Sequence, residues 1–341
     1  MEAVRELSGE GAARPACSKG EERAAMWCAR QLGHLGYAVT LERFAAREAK
    51  PWHGAFFGVT ALGALAIGIV PLAGFVVGVV ALVLYGRDLE GRPLVRLTSG
   101  ESRNVVGRTR GRPELVIVAH LDSGRVPTSW RSHLMAAHGA LVLTPLAGAA
   151  AWVAGDEVFP PRMRWIVGGA LAALLILVTM FEMRSGHRAA GGDNAGGIEV
   201  ALRLAARRPS GVWFVFSGAK GSGMFGMQAF LDSYASDVGA ARFLNFDSVT
   251  SGRVVAAWEE GVLQPHEADA VLLAAAESAG IEASSFRTRT TDGSVLLARR
   301  MKALSLVGLH EDGEMDRPGL DRVEHAARRV MQAALDAADT R

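Results

Sequence analysis

The sequence predicts an α/β protein: a three-layer αβα sandwich around a mainly parallel, mixed sheet, interrupted by two inserted transmembrane helical hairpins. Three observations carry this. Short apolar runs alternate with amphipathic stretches through most of the 341 residues, the order expected when crossover helices cover both faces of a parallel sheet. Half of the residues are hydrophobic, and the excess is concentrated in a few uncharged stretches while the rest reads as ordinary soluble sequence. Each insertion interrupts the alternation, so the strands on either side must reach one sheet, which requires an even number of membrane crossings.

Taking the elements in order, residues 20–36 read as a helix, with Glu21 and Glu22 in its first turn and Ala25, Cys28, Leu32 and Leu35 spaced for one buried face. Residues 37–44 then read as a strand. Residues 54–85 run 32 positions without a charge and carry Pro71 near the middle. A single helix of that length would measure about 48 Å against a hydrocarbon core of roughly 30 Å. Two short helices broken at Pro71 are expected instead, as two spans or a re-entrant loop. Residues 114–120 form the apolar run of a buried strand that ends in His120-Leu121-Asp122.

The second insertion pairs the uncharged stretches 134–155 and 165–181, joined by the polar link Asp156-Glu157-Val158-Phe159-Pro160-Pro161-Arg162 that suits a tight turn at a membrane surface. A soluble core helix rarely lacks charge on every face for about twenty residues. Soluble-type sequence resumes at Gly191 and opens an amphipathic helix through Ala206. A strand (212–217), a helix (225–234), a strand (243–249), a helix (265–279), a strand (303–309) and a closing helix (320–338) follow. The α/β domain thus comprises residues 1–50, 86–131 and 185–341, with hairpins at 52–85 and 133–183.

Composition narrows the partners. The net charge is +2 and no basic block is interleaved with aromatics, so nucleic acid is not an expected partner, whereas the lipid bilayer is. Cys17 and Cys28, the only cysteines, are too few for a disulfide framework or a thiolate zinc site. The first 50 residues are charged throughout and give no secretory leader, so internal membrane segments are expected. Ten basic residues (Arg43, Arg47, Lys50, Arg87, Arg92, Arg96, Arg125, Arg131, Arg184 and Arg188) flank the spans on the domain side, against Arg162 and Arg164 beyond them. That bias places the domain in the cytoplasm, on a multi-pass anchor of about four spans. Small residues within the spans, including Gly63, Gly68, Gly74, Gly78, Gly148 and Gly168-Gly169, permit close helix packing.

The candidate chemistry lies at strand ends, where parallel sheets collect functional groups. His120, Asp193 at a strand-to-helix entry and Asp247 after Phe243-Leu244-Asn245-Phe246 all fit, and an imidazole with two carboxylates can converge on zinc. Each also has an ordinary reading, as a core histidine, a helix N-cap and a loop carboxylate.

Together the motifs are more specific. Arg14 with Ser18 and Glu21-Glu22, Asn104-Val105-Val106-Gly107, Val118-Ala119-His120-Leu121-Asp122-Ser123, Gly192-Asp193-Asn194-Ala195-Gly196-Gly197, Phe216-Ser217-Gly218, Asn245-Phe246-Asp247-Ser248 and Thr291-Asp292-Gly293 run in that order. This resembles the co-catalytic zinc exopeptidases of clan MH, the aminopeptidase Y-like family, across the whole soluble part, with only the hairpins outside it. The resemblance implies that His120 binds zinc, Asp122 orients the site, Asp193 bridges two zincs and Asp247 binds the metal. It also implies a Glu-Glu pair, a general base followed by a ligand, where this chain has Lys220 and Gly221. An ammonium cannot accept a proton, and glycine has no side chain to offer a metal. The family's last ligand, a histidine, falls on Asp316 or Glu314 according to the frame chosen, with His310 close by in sequence; Glu259-Glu260, beyond Asp247, reads as a charged turn.

The expectation is therefore a membrane-anchored relative that is catalytically inactive, with Lys220 standing in for lost metal charge, serving as a binding or scaffold module for a peptide or protein ligand. The alternative is an active metallo-aminopeptidase with an altered, single-zinc site built from His120, Asp193, Asp247 and either His310 or Asp316. Zinc is the cofactor in the second reading, and there is none in the first.

Overall fold

The structure, a computed structural model, describes residues 2–8, 13–48, 53–94, 96–123, 130–184, 194–249, 254–261, 264–287, 290–309 and 317–339. Its strands in chain order are β1 (Ala38–Ala46), β2 (Gly100–Arg108), β3 (Leu115–His120), β4 (Val212–Ser217), β5 (Arg242–Asp247), β6 (Val254–Glu260), β7 (His266–Glu267), β8 (Glu282–Phe286) and β9 (Lys302–Gly308). The helices are α1 (Glu2–Leu7), α2 (Lys19–His34), α3 (His53–Ala66), α4 (Pro71–Leu89), α5 (Trp130–Val158), α6 (Pro161–Arg184), α7 (Ala195–Ala205), α8 (Phe225–Val238), α9 (Ala270–Ser278), α10 (Asp292–Ala298) and α11 (Arg317–Asp339).

The sheet is mixed, as expected: β4, β3, β5 and β9 run parallel at its centre, while β2 and β1 on one side and β6 with β7 on the other are antiparallel additions. β8 pairs parallel with β6. The central strands β3, β4 and β5 are buried at every residue, which is why they read as unbroken apolar runs rather than alternating ones. Alternation persists in the direction of burial. Leu115, Ile117 and Ala119 meet a core built with α2, α7, α9 and α11, whereas Val116 and Val118 meet one built with α8 and α10.

Sequence and structure part over several of the expected elements. The helix expected over 265–279 begins at Ala270, because Asp269 caps it by accepting the Leu272 amide at 3.1 Å and the preceding residues pair with β6 as β7. The helix expected from Gly191 begins at Ala195, after Asn194 turns into left-handed backbone at φ 47°. The pair Glu259-Glu260 lies in β6 rather than in a turn, and Glu260 is fully buried.

The first insertion leaves β1 after Ala46 and returns to β2 at Gly100, residues that face each other in the antiparallel register. The second leaves after β3 and returns at Asn194. Each is an out-and-back helical pair, and together they form one four-helix bundle around Phe57, Ala61, Ala64, Tyr85, Leu141, Leu175 and Val178. Pro71 opens α4 at its first turn, where a missing N–H costs nothing. α3 runs the length of α6: a Cβ on Gly54 would meet Thr179, and one on Gly68 would meet the ring of Trp165. Pro71–Leu89, Ala137–Val158 and Pro161–Phe181 are long and apolar enough to cross a membrane by length and composition, while Gly54–Ala66 is a shorter apolar helix. Leu62, Ile69, Val153, Ile166 and Leu177 point outward from the bundle and are exposed.

The bundle is tied to the domain by a buried ion pair. Arg47 grips Asp88 at the end of α4 with both terminal nitrogens, donates Nε to the Leu97 carbonyl at 3.1 Å, and lies 5.0 Å over the ring of Phe225.

Candidate functional site

Parallel register brings His120 opposite Ser217, Ala119 opposite Phe246 and Asp247 opposite Val307. The ends of β3, β4 and β5 therefore share one edge of the sheet, and both insertions leave from that edge. Asn194 pins the return of the second insertion there: its Nδ2 donates to the Phe246 carbonyl at 3.0 Å and the His120 carbonyl at 3.3 Å, and its Oδ1 accepts the Val249 amide.

His120 is buried, and its Nδ1 donates to the Asp122 carbonyl at 2.9 Å, with Asp122 Oδ1 at 3.6 Å. Because a carbonyl only accepts, Nδ1 carries a proton. The Asp122 carboxylate reaches the other way, to the loop after β4, accepting the Lys220 amide at 3.0 Å and the Gly221 amide at 2.7 Å. Burial opposes its charge, but His120, the Gly221 amide and Lys220 outweigh burial and hold its pKa below the usual carboxylate value.

Glu21, from the first turn of α2, takes the amide before these. Its Oε1 accepts from Ala219 N at 2.6 Å, and its Oε2 from Cys17 N at 2.7 Å and Ser102 Oγ at 2.9 Å. Burial, together with the nearby Asp122 charge, pushes its pKa up to about 7. Three successive amides, 219 to 221, are thus clamped by two buried carboxylates, and Ala219 is held at φ 51°.

The clamp aims Lys220 into the site. Its Nζ lies 2.8 Å from Oδ2 of Asp247, whose Oδ1 accepts from Ser248 Oγ at 2.8 Å. The lysine side chain is 14% exposed and the aspartate 1%.

Two further carboxyl groups complete the site, and sequence reasoning assigned neither. Asp292, at the first turn of α10, accepts from Ser217 Oγ through Oδ2, while its Oδ1 has no hydrogen-bond partner among the described residues. Burial lifts its pKa to about 6, against the opposing pull of Ser217, His120 and Lys220. Glu260 lies beneath α10, accepting from Thr291 Oγ1 and from Ser294 Oγ at 3.0 Å, and burial raises its pKa as well. Thr291-Asp292-Gly293 stood in the ordered motif set, but burial of a lone carboxylate is not written in local sequence.

Of the residues expected to bind metal, the structure brings His120 and Asp247 to the same edge beside Asp122 and Lys220. Asp193, His310, Glu314 and Asp316 lie outside the described residues. Among the described residues no group of three or more His, Cys, Asp or Glu side chains is arranged to hold a metal ion. Among the described residues, one oxygen of Asp247 faces an ammonium, and Gly221 has no side chain to offer a metal.

No protein-family profile matches the chain, and no curated protein matches it in sequence. Solved structures do match in fold. The zinc aminopeptidase BSAP from Bacillus subtilis superposes with a TM-score of 0.54 at 14% identity, covering 98% of this chain and 93% of that one. A leucine aminopeptidase precursor from Bacteroides thetaiotaomicron gives 0.52 at 12% identity, covering 96% and 95%. The glutaminyl cyclase of Fimbriiglobus ruber gives 0.52 at 13% identity, covering 97% and 93%. This chain therefore has the zinc-exopeptidase-like fold that aminopeptidases and glutaminyl cyclases share.

Proposed function

We propose that this chain is a membrane-anchored protein of the zinc-exopeptidase-like fold that is catalytically inactive and serves as a binding or scaffold module for a peptide or protein ligand. The observation that carries the proposal is the Lys220–Asp247 contact at 2.8 Å. The carboxylate that the family resemblance assigns to metal is neutralised by an ammonium, on the residue that stands where a general base is required. A divalent ion entering that space would meet a fixed positive charge held in place by Glu21 and Asp122. The apolar exterior of the bundle, the length of three of its four helices and the basic residues around its root support insertion of both hairpins, with the domain on the cytoplasmic side.

Asp292 favours a second reading. A buried carboxyl with a pKa of about 6 and one oxygen without a hydrogen-bond partner among the described residues can move a proton near neutral pH. In that reading the chain is an active hydrolase with an altered, single-zinc site drawing on His120, Asp193, Asp247 and His310 or Asp316. Hydrolysis of aminoacyl chromogenic substrates with added zinc separates the two. The first predicts a rate no different from a His120→Ala control; a rate that this substitution abolishes establishes the second.

A further inference from the structure

The loop that carries Lys220 is closed on itself. Its returning limb bonds to its outgoing one: the Gly223 and Met224 amides donate to the Lys220 carbonyl at 3.1 and 2.9 Å, Phe225 N donates to the Ala219 carbonyl at 3.2 Å, and Gly226 N to the Gly218 carbonyl at 3.0 Å. A displacement of residues 223–226 is therefore passed to Lys220. The loop is also strained, with Ala219 and Met224 in left-handed backbone at φ 51° and 55° although neither is glycine. Backbone of this kind persists only where its surroundings over-determine it. Glu21 and Asp122 hold the outgoing limb, and both belong to the α/β domain.

The returning limb is held by the first insertion. Asp88, in the last turn of α4, is buried and fixes both terminal nitrogens of Arg47. The Arg47 guanidinium lies 5.0 Å over the ring of Phe225, and a Cβ on Gly223 would come within 3.9 Å of its Nη1. Just past the helix, a Cβ on Gly91 would lie 2.6 Å from Cγ2 of Val295 and 3.4 Å from Cβ of Met224. Val295 follows Asp292 by one turn of α10. Between these contacts, Glu90 accepts the Gln264 amide at 2.8 Å, in the connection that leaves Glu260 for β7. The root of α4 thus touches the Lys220 loop, the helix that presents Asp292 and the segment that follows Glu260.

We propose that Arg47 and Asp88 are positioning residues for Lys220, and that the first insertion regulates the site through them: the last turn of α4 braces the returning limb, and a shift of that helix frees the lysine from Asp247. The proposal rests on the reading of Lys220 as the charge that occupies the site. The test is acetylation of the full chain in detergent by N-hydroxysulfosuccinimidyl acetate, with Lys220 followed by peptide mass spectrometry against the exposed Lys302. Asp88→Asn is expected to raise the rate at Lys220 relative to Lys302 about tenfold, because the loop opens more often. Phe225→Leu leaves the ion pair but removes the ring beneath it, and should raise the ratio about threefold. Val323→Ala, a change in the core under α11 that also lowers stability, should leave the ratio unchanged. An unchanged ratio in Phe225→Leu and in any folded Asp88→Asn, or an equal rise in Val323→Ala, overturns the brace. The zinc content of the same preparations keeps the readings apart: a chain without zinc whose ratio does not respond refutes the brace alone, and a chain that holds stoichiometric zinc refutes the reading of Lys220 on which the brace depends.

Discussion

At the scale of the residue, Lys220 and Asp247 neutralise each other at the centre of the site. Replacing Lys220 with methionine keeps the bulk of the side chain but leaves Asp247 buried beside no ammonium, an error that costs about 3 kcal/mol when one member of a buried pair is lost. A lowered thermal midpoint is the expected result, and adding Asp247→Asn should recover part of the loss, the coupling that a double-mutant cycle reads directly. The sequence made His120, Asp247 and Lys220 legible because each ends or follows an apolar strand and belongs to an ordered set of motifs. Asp292 and Glu260 stayed hidden for the opposite reason. One looks like part of a helix cap and the other like a charged turn, and only the tertiary fold buries both beside the site. Glu21 was visible as a first-turn acid of α2, but its hold on the Ala219 amide joins residues 198 positions apart.

At the scale of the element, the bundle depends on glycine where helices nearly touch. A Cβ on Gly148 would lie 2.5 Å from the main-chain nitrogen of Phe75, and one on Gly168 would lie 2.2 Å from the main-chain oxygen of Ala64, whereas Gly169 has nothing within 4 Å among the described residues. Gly148→Leu and Gly168→Leu should therefore each destabilise the detergent-solubilised protein by about 1–3 kcal/mol, and Gly169→Leu should be near neutral, as measured by thermal unfolding. The small residues were legible in the sequence; which of them face a neighbour was not, because that depends on helix rotation. The same limit explains the strands that escaped notice. β8, with the sequence Glu282-Ala283-Ser284-Ser285-Phe286, carries too little apolar residue to signal a strand and exists because β6 offers it a parallel edge. β3, β4 and β5, buried on both faces, announced themselves.

At the scale of the whole molecule, two features make its stability and placement testable. Glu21 and Asp292 bind protons more tightly in the fold than in an unfolded chain, with pKa values of about 7 and about 6 against ordinary values of 4.5 and 3.8. As pH falls from 7 toward 4.5 the folded state takes up protons that the unfolded state does not, so stability rises; it declines again as pH climbs through 7. Asp122 acts in the opposite sense, losing its contribution only as pH falls through its lowered folded value. The midpoint of unfolding in detergent should therefore be higher near about pH 5.5 than near about pH 7.5, and Glu21→Gln should flatten the difference. For placement, a cysteine at the exposed Glu157 should react with an impermeant maleimide on intact cells, and one at the exposed Arg112 only after lysis. A fold shared by aminopeptidases and glutaminyl cyclases does not decide chemistry; the site does. Elemental analysis of the full chain, purified and equilibrated with zinc, tests the claim that Lys220 replaces metal charge. No stoichiometric zinc is expected, and two zinc ions per chain would show that Lys220 does not replace the metal.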